Sequence, residues 1–161
     1  MGKLISLLII IFSQLFSGQN IESSRKTVEK INQTQGFKIR IVPNSYYSDK
    51  NIVTDNGIEL KGYYKNNKLL KMECWVGLSA WKIITEYFFS DNGELVFVHS
   101  KKYQIVGENG YLKKPQLLSE RRYYYEDDKV IKTIGVNDND EKKDFLQESK
   151  NLMNDLKHFN N

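Results

Sequence analysis

From Gly57 onward the chain repeats one polarity pattern three times: an aromatic pair, a polar turn, then a charged residue and aliphatics. The segments are Tyr63-Tyr64-Lys65-Asn66-Asn67-Lys68-Leu69-Leu70, Phe88-Phe89-Ser90-Asp91-Asn92-Gly93-Glu94-Leu95-Val96 and Tyr124-Tyr125-Glu126-Asp127-Asp128-Lys129-Val130-Ile131. β-Forming residues on either side of Asn, Asp and Gly, which tolerate positive φ, predict a β-hairpin at each. The irregular spacing between segments predicts a meander and not a solenoid. Upstream, Phe37-Lys38-Ile39-Arg40-Ile41 alternates as a half-buried strand does. Residues 21–35 carry Ile21, Val28 and Ile31 as a weak helical stripe ending at Gly36, and 43–57, rich in Asn, Ser, Asp and Tyr, reads as a loop. After a strand from Glu94 to Tyr103 comes a predicted loop, 104–116, of a length that is often functional. Residues 140–159 place Phe145, Leu146, Leu152, Met153, Leu156 and Phe159 on one helical stripe, with cap candidates at 137–140.

Register follows from keeping apolar side chains on one side of the pleat, because a one-residue slip reverses every side chain. Three-residue loops at Lys65-Asn66-Asn67 and Asp91-Asn92-Gly93, with a four-residue loop from Gly77 to Ala80, put Leu60, Met72, Thr85 and His99 in one row. Gly62, Leu70, Tyr87 and Phe97 form the next row, and Ile58, Cys74, Ile83 and Lys101 a third. On the second face Lys71 then stands opposite Glu86, and Trp75 opposite Lys82. One row of that face is apolar throughout: Tyr63, Leu69, Phe88 and Val96. The predicted fold class is α+β, an antiparallel meander sheet of about six or seven strands with N-terminal and C-terminal helices packing on it.

Composition changes this picture little. With 40% hydrophobic and 27% charged residues over 161 positions, the chain is ordinary globular material, long enough for a core without metal or disulfide support. Its start matters more. Met1-Gly2-Lys3, the apolar run Leu4 to Phe12 and the small residues Ser17-Gly18 predict a secretory signal peptide over 1–18, cleaved after Ser17 or Gly18. The run falls short of the roughly 20 residues of a spanning helix. The expectation is therefore a single α+β domain over 19–161, periplasmic or secreted, with no transmembrane segment in the mature chain. The net charge of +4 comes from lysines interspersed with acids, which argues for solubility and against nucleic acid as a partner. Cys74 is the only cysteine, so no internal disulfide forms, and its strand setting suits a small buried hydrophobe.

Candidate chemistry is sparse. Of the two histidines, His99 has no carboxylate in the predicted row, and His158 lies near a helix C-terminus. Two histidines and one distant cysteine do not make a zinc site. The run Asn137 to Asp144 fails as a calcium loop, since Lys143 and Ser149 fall where Gly and Glu are required. No phosphate loop, dinucleotide fingerprint or nucleophile elbow occurs, so no cofactor and no metal is expected. Glu73 and Glu86 on neighbouring strands are a candidate carboxylate pair for hydrolysis, with Lys71 and Lys82 nearby favouring solvated ion pairs. The aromatic residues offer more. Tyr63, Leu69, Phe88, Val96, Tyr123 and Tyr125, with Tyr46-Tyr47, are the candidate ligand-binding patch. The alternative is a second small core closed by the N-terminal helix.

Over Leu60 to Ile134 the sequence resembles small exported proteins of Bacteroidetes bacteria. The resemblance is carried by the N-terminal signal ending near a Gln, by Glu86-Tyr87-Phe88-Phe89-Ser90-Asp91-Asn92-Gly93-Glu94-Leu95-Val96-Phe97-Val98 and by Arg122-Tyr123-Tyr124-Tyr125. It implies a periplasmic or secreted α+β protein and assigns no activity. The functional expectation is a non-enzymatic binding module for a protein, peptide or cell-envelope glycan, engaged by the aromatics and the 104–116 loop. Alternatives are a cryptic hydrolase using Glu73, Glu86 or His99, and a self-associating structural component.

Overall fold

Seven strands form one antiparallel sheet in strict sequence order. They are β1 (Lys38–Val42), β2 (Ile58–Lys65), β3 (Lys68–Gly77), β4 (Trp81–Phe89), β5 (Leu95–Gly107), β6 (Gly110–Glu126) and β7 (Lys129–Ile134). The computed structural model describes residues 21–135 and 143–159. The expected signal segment 1–18 and the cap candidates 137–140 lie outside the described residues. Helical segments flank the sheet: α1 (residues 21–33), α2 (Asn44–Asp49) and α3 (Phe145–His158). The expected meander is thus present with seven strands, the strand expected at 37–41 being β1, Lys38–Val42.

The three repeated segments fold alike. Asn66-Asn67 (φ 51° and 61°) and Asp127-Asp128 (φ 49° and 61°) are two-residue turns whose left-handed backbone matches the twist of the flanking strands. Asp91-Asn92-Gly93 is the expected three-residue loop, closed by Gly93 at φ 88°. Each hairpin then bulges within its aromatic pair, at Tyr63/Tyr64, Phe88/Phe89 and Tyr124/Tyr125. The extra residue opposite each pair is the second aliphatic, Leu70, Val96 or Ile131. All three side chains join the same hydrophobic cluster. A bulge inserts one unpaired residue and reverses the alternation beyond it.

These bulges correct the expected register. At the first hairpin a two-residue turn replaces the expected three-residue loop and the bulge at Leu70 adds a second step, so pairing shifts by two residues, Leu60 to Cys74 and Gly62 to Met72, and the face is kept. Leu60 and Met72 therefore remain on one face, both fully buried, whereas Leu70 joins the other face. Between β3 and β4 the turn is Ser79-Ala80, with Leu78 N donating to Trp81 O at 2.8 Å, a two-residue shift that keeps the face. Between β4 and β5 nothing cancels the bulge at Val96. Tyr87 pairs with Val98 and Glu86 with His99, so Phe97, His99 and Lys101 lie on the face opposite to expectation. Trp75 pairs with Ile84, not Lys82, and Lys71 with Phe88, not Glu86.

Other segments also differ. The expected 104–116 loop is the end of a long β5–β6 hairpin, turning at Glu108-Asn109. Pairing skips from Val106–Tyr111 to Gln104–Gln116, and Pro115, which has no N–H to donate, falls in the unpaired stretch. The 43–57 segment contains α2, whose Tyr47 is buried. α3 is capped by Asp144, whose carboxylate accepts from Gln147 N at 2.9 Å.

Two clusters occupy the two faces. The first gathers Leu60, Met72, Tyr87, Phe89, Val98, Tyr123 and Tyr125 with Phe145, Leu152 and Leu156 of α3. Gly62 admits α3 closely, since a Cβ there would stand 2.7 Å from Leu156 Cδ1. The second gathers Leu70, Phe88, Phe97 and Tyr124 with Ile31 of α1, and Val28, Ile21 and Val96 pack against it.

Candidate functional site

Beyond the second cluster the same face turns polar. One cross-strand row runs Lys61, Glu73, Glu86, His99, Arg122, placed there by the alternation of β2 to β6. Glu73 and Glu86 are directly opposed, a repulsive arrangement that cations beside them offset. Lys71 Nζ donates to Glu86 Oε1. His99 lies between two carboxylates: Nε2 is 2.6 Å from Glu120 Oε1 and Nδ1 3.4 Å from Glu86 Oε2. Arg122 Nη2 donates to the same Glu120 oxygen at 2.8 Å. The side chains of Lys71, Glu86 and His99 are 15%, 20% and 14% exposed, so the centre of the network is largely shielded from water, while Glu120 and Arg122 reach toward solvent.

Burial alone would push the Glu86 carboxyl up. Hydrogen bonds and charge from His99 and Lys71 outweigh it and hold the group down at about 2. Glu120 is likewise lowered, by hydrogen bonds from Arg122 and His99. A carboxylate held so firmly ionised is the reverse of the raised acid that glycoside cleavage uses. Both ring nitrogens of His99 already face carboxylate oxygens, leaving neither aimed at a substrate. The row has the chemistry of an internal ion network. Among the described residues no group of three or more His, Cys, Asp or Glu could hold a metal ion.

A cleft borders this network. Arg25, Val28, Glu29, Asn32 and Gln33 of α1 face Phe97 of β5 and Tyr124 of β6 across a cavity of about 380 Å³. Helical spacing produces this wall: Arg25, Glu29 and Asn32 recur beside the Val28–Ile31 stripe. Phe97 is common to both features, its ring centroid 6.0 Å from that of His99 and 4.9 Å from that of Tyr124. The base of the cleft is the ring edges of Phe97 and Tyr124, themselves only 7% and 4% exposed, under a polar rim, at the small end of ligand-site volumes.

The six residues expected to form a patch divide between the faces. Phe88, Tyr123 and Tyr125 are buried at 2%, 8% and 4% exposure, the two tyrosines with the first cluster and Phe88 with the second. Leu69 packs against the first cluster and Val96 against the second, both half-buried. Tyr63 is half-buried, its ring meeting Phe37 edge-on at 5.8 Å. These residues do not share one open surface. The bulges explain the division, because each aromatic or aliphatic pair supplies both faces. Tyr47 is buried, and Tyr46 donates to Asp155 Oδ1 of α3 at 3.0 Å.

His99 does have carboxylate partners, contrary to expectation, because the bulge at Val96 moved it to the row of Glu86. Sequence reasoning also missed Glu120 and Arg122, although their i, i+2 spacing on one strand puts them on one face. His158 Nδ1 donates locally, to the Asn154 carbonyl oxygen at 2.8 Å. Burial pushes the Cys74 thiol up to about 12, which removes it as a nucleophile. Among the described residues no helix is long and apolar enough to cross a membrane. No family model, curated protein or solved structure matches the chain.

Proposed function

We propose that the chain is a non-enzymatic binding module acting in the periplasm or outside the cell, with its ligand seated in the cleft between α1 and strands β5 and β6. One observation carries this reading: a cavity of about 380 Å³ with Phe97 and Tyr124 beneath a rim of Arg25, Glu29, Asn32 and Gln33. Aromatic floors with a few convergent polar groups bind protein side chains, peptides and sugar rings alike. In this reading α3 serves as the cover of the first sheet face and α1 as the partial cover of the second, leaving the cleft at its margin. The expected N-terminal signal, Lys3 ahead of the apolar run Leu4 to Phe12, supports the location.

The test fills the cleft from the α1 side. Val28 is half-buried on α1, lines the cavity and packs at the margin of the second cluster, so Val28→Trp places an indole in the cavity. Wild type is expected to capture a component of cell-envelope extract, and Val28→Trp to lose it while circular dichroism shows the sheet intact. Capture unaffected by Val28→Trp sinks the assignment of the cleft, and light scattering on the same samples reports self-association.

The hydrolase reading retains one favourable observation, that Glu73, Glu86 and His99 do meet in one row. Against it stand the committed nitrogens of His99. Turnover of envelope glycans that disappears in His99→Ala with the fold intact would favour it over binding.

A further inference from the structure

At the end of the sheet away from the hairpin tips, β5 and β6 extend as a two-stranded arm. β5 pairs with β4 only as far as Gln104, opposite Trp81, and β7 reaches β6 only from Arg122 onward. The arm and its root expose Trp81 (40%), Tyr111 (75%), Leu117 (48%) and Leu118 (45%). Between Ser100 and Ser119 the sequence holds four lysines and a single acid, Glu108, and Lys82 lies alongside. Several lysines elsewhere are paired with acids, Lys30 with Asp91, Lys50 with Asp155 and Lys150 with Asp128, and the unpaired ones are scattered where those of the arm are clustered. Among the described residues no carboxylate pairs with Lys82, Lys102, Lys113 or Lys114. Two of these lie over rings instead: Lys102 Nζ is 4.4 Å from the Trp81 centroid and Lys82 Nζ 5.4 Å from that of Tyr103.

We infer that this arm docks on an anionic lipid surface. Charge complementarity supplies the attraction, since unpaired lysines near a negative leaflet each contribute to adsorption. Trp and Tyr beside them have the amphipathic rings that settle at headgroup level. The distribution over the ribbon favours lipid over a protein partner. Register places Trp81 and Lys102 on one face of the ribbon, and Leu117 with Tyr103 and Lys82 on the other. A protein surface meets one face of a ribbon, whereas a headgroup layer admits both.

The experiment is co-sedimentation of the purified protein with phosphatidylcholine vesicles, with and without phosphatidylglycerol. Expected are binding only where phosphatidylglycerol is present, weakening with added salt, and a blue shift of tryptophan emission. Lys102→Gln/Lys113→Gln/Lys114→Gln lowers the affinity roughly 100-fold, the loss expected for three interfacial lysines. Trp81→Ser/Leu117→Ser abolishes the blue shift. A charge-matched control, Lys26→Gln/Lys129→Gln/Lys132→Gln, keeps its affinity within about twofold, and so does Val28→Trp, which separates this surface from the cleft. Equal binding to both vesicle types, no binding, or equal losses in arm and control variants overturns the inference. So does binding to a soluble polyanion such as heparin without vesicle binding, or a dimer that Leu117→Ser dissolves.

Discussion

Replacing Glu86 by Gln tests whether the ion network on the second face is an internal structure or a solvated set of surface pairs. Glutamine keeps the size and one acceptor oxygen but removes the charge that Lys71 and His99 surround. A carboxyl held at about 2, against its ordinary value of 4.5, binds its proton less readily folded than unfolded. Its stabilisation is fully present above pH 4.5 and is lost as pH falls through about 2. The difference corresponds to about 3 kcal/mol, a large share of the roughly 5–15 kcal/mol typical of a domain. Side-chain exposure of 20% at Glu86 keeps solvent screening modest.

Urea unfolding of wild type and Glu86→Gln, stepped from about pH 6 to about pH 2, reads this directly. Wild type is expected to lose stability in the acid window more steeply than the variant, so the gap between them narrows by about 3 kcal/mol. Glu120 and Asp91, also held low by their partners, titrate in both proteins and cancel in the difference. Lys71→Met, which removes one of the two donors, moves the acid transition of wild type to higher pH. A gap between wild type and Glu86→Gln that stays constant from pH 6 to 2 refutes the reasoning.

Three further outcomes follow from the geometry. Asn67→Gly removes a side chain from a left-handed turn position at φ 61° and is expected to raise stability by roughly 0.5–1 kcal/mol in thermal melts. Cys74, 6% exposed with its thiol pushed up to about 12, is expected to resist a disulfide reagent in buffer and react fully in urea, where rapid reaction of the folded protein contradicts its placement. Leu156→Ala costs about 2–5 kcal/mol and Gly62→Ala about 1–3 kcal/mol, yet the double variant costs less than the two together, because the new methyl occupies space that Leu156 vacates; strict additivity in denaturant melts removes α3 from its place over Gly62.

The hairpins were legible because turn chemistry is local: Asn-Asn, Asp-Asn-Gly and Asp-Asp tolerate positive φ, and β-formers flank them. The terminal helices were legible from stripes, Ile31 on α1 and Phe145, Leu152 and Leu156 on α3 all being buried. Register was not. A bulge costs no residue type of its own, so polarity alone reads Leu69-Leu70 or Leu95-Val96 as ordinary alternation with one apolar residue out of place. At the first hairpin two departures added to a two-residue shift, which keeps the face, and Leu60 and Met72 came out together. At the second one departure stood alone, which carried His99 away from its carboxylates in the sequence reading and back to them in the structure. The 104–116 segment misled for another reason. Gly107, Gly110 and Pro115 are loop formers by composition, but a two-residue turn and an unpaired stretch absorb them within a strand pair.

The bulges also explain why the second face is divided. Next to each turn an aromatic pair meets an aliphatic pair, so both faces receive apolar side chains there, and α1 finds Leu70, Phe88, Phe97 and Tyr124 beneath its stripe. Further from the turns the pairs end and simple alternation resumes. The first face keeps its apolar residues, while the second takes Glu73, Glu86, His99 and Arg122. A helix with an apolar stripe gains nothing by extending over that row, because burying those charges under apolar side chains would cost more than the contact returns. The edge of α1 therefore coincides with the change from Phe97 to His99, and the cleft lies along the same border. The same local event, one extra aliphatic residue per hairpin, fixes both the second core and the place where a ligand finds an aromatic floor beside fixed charge.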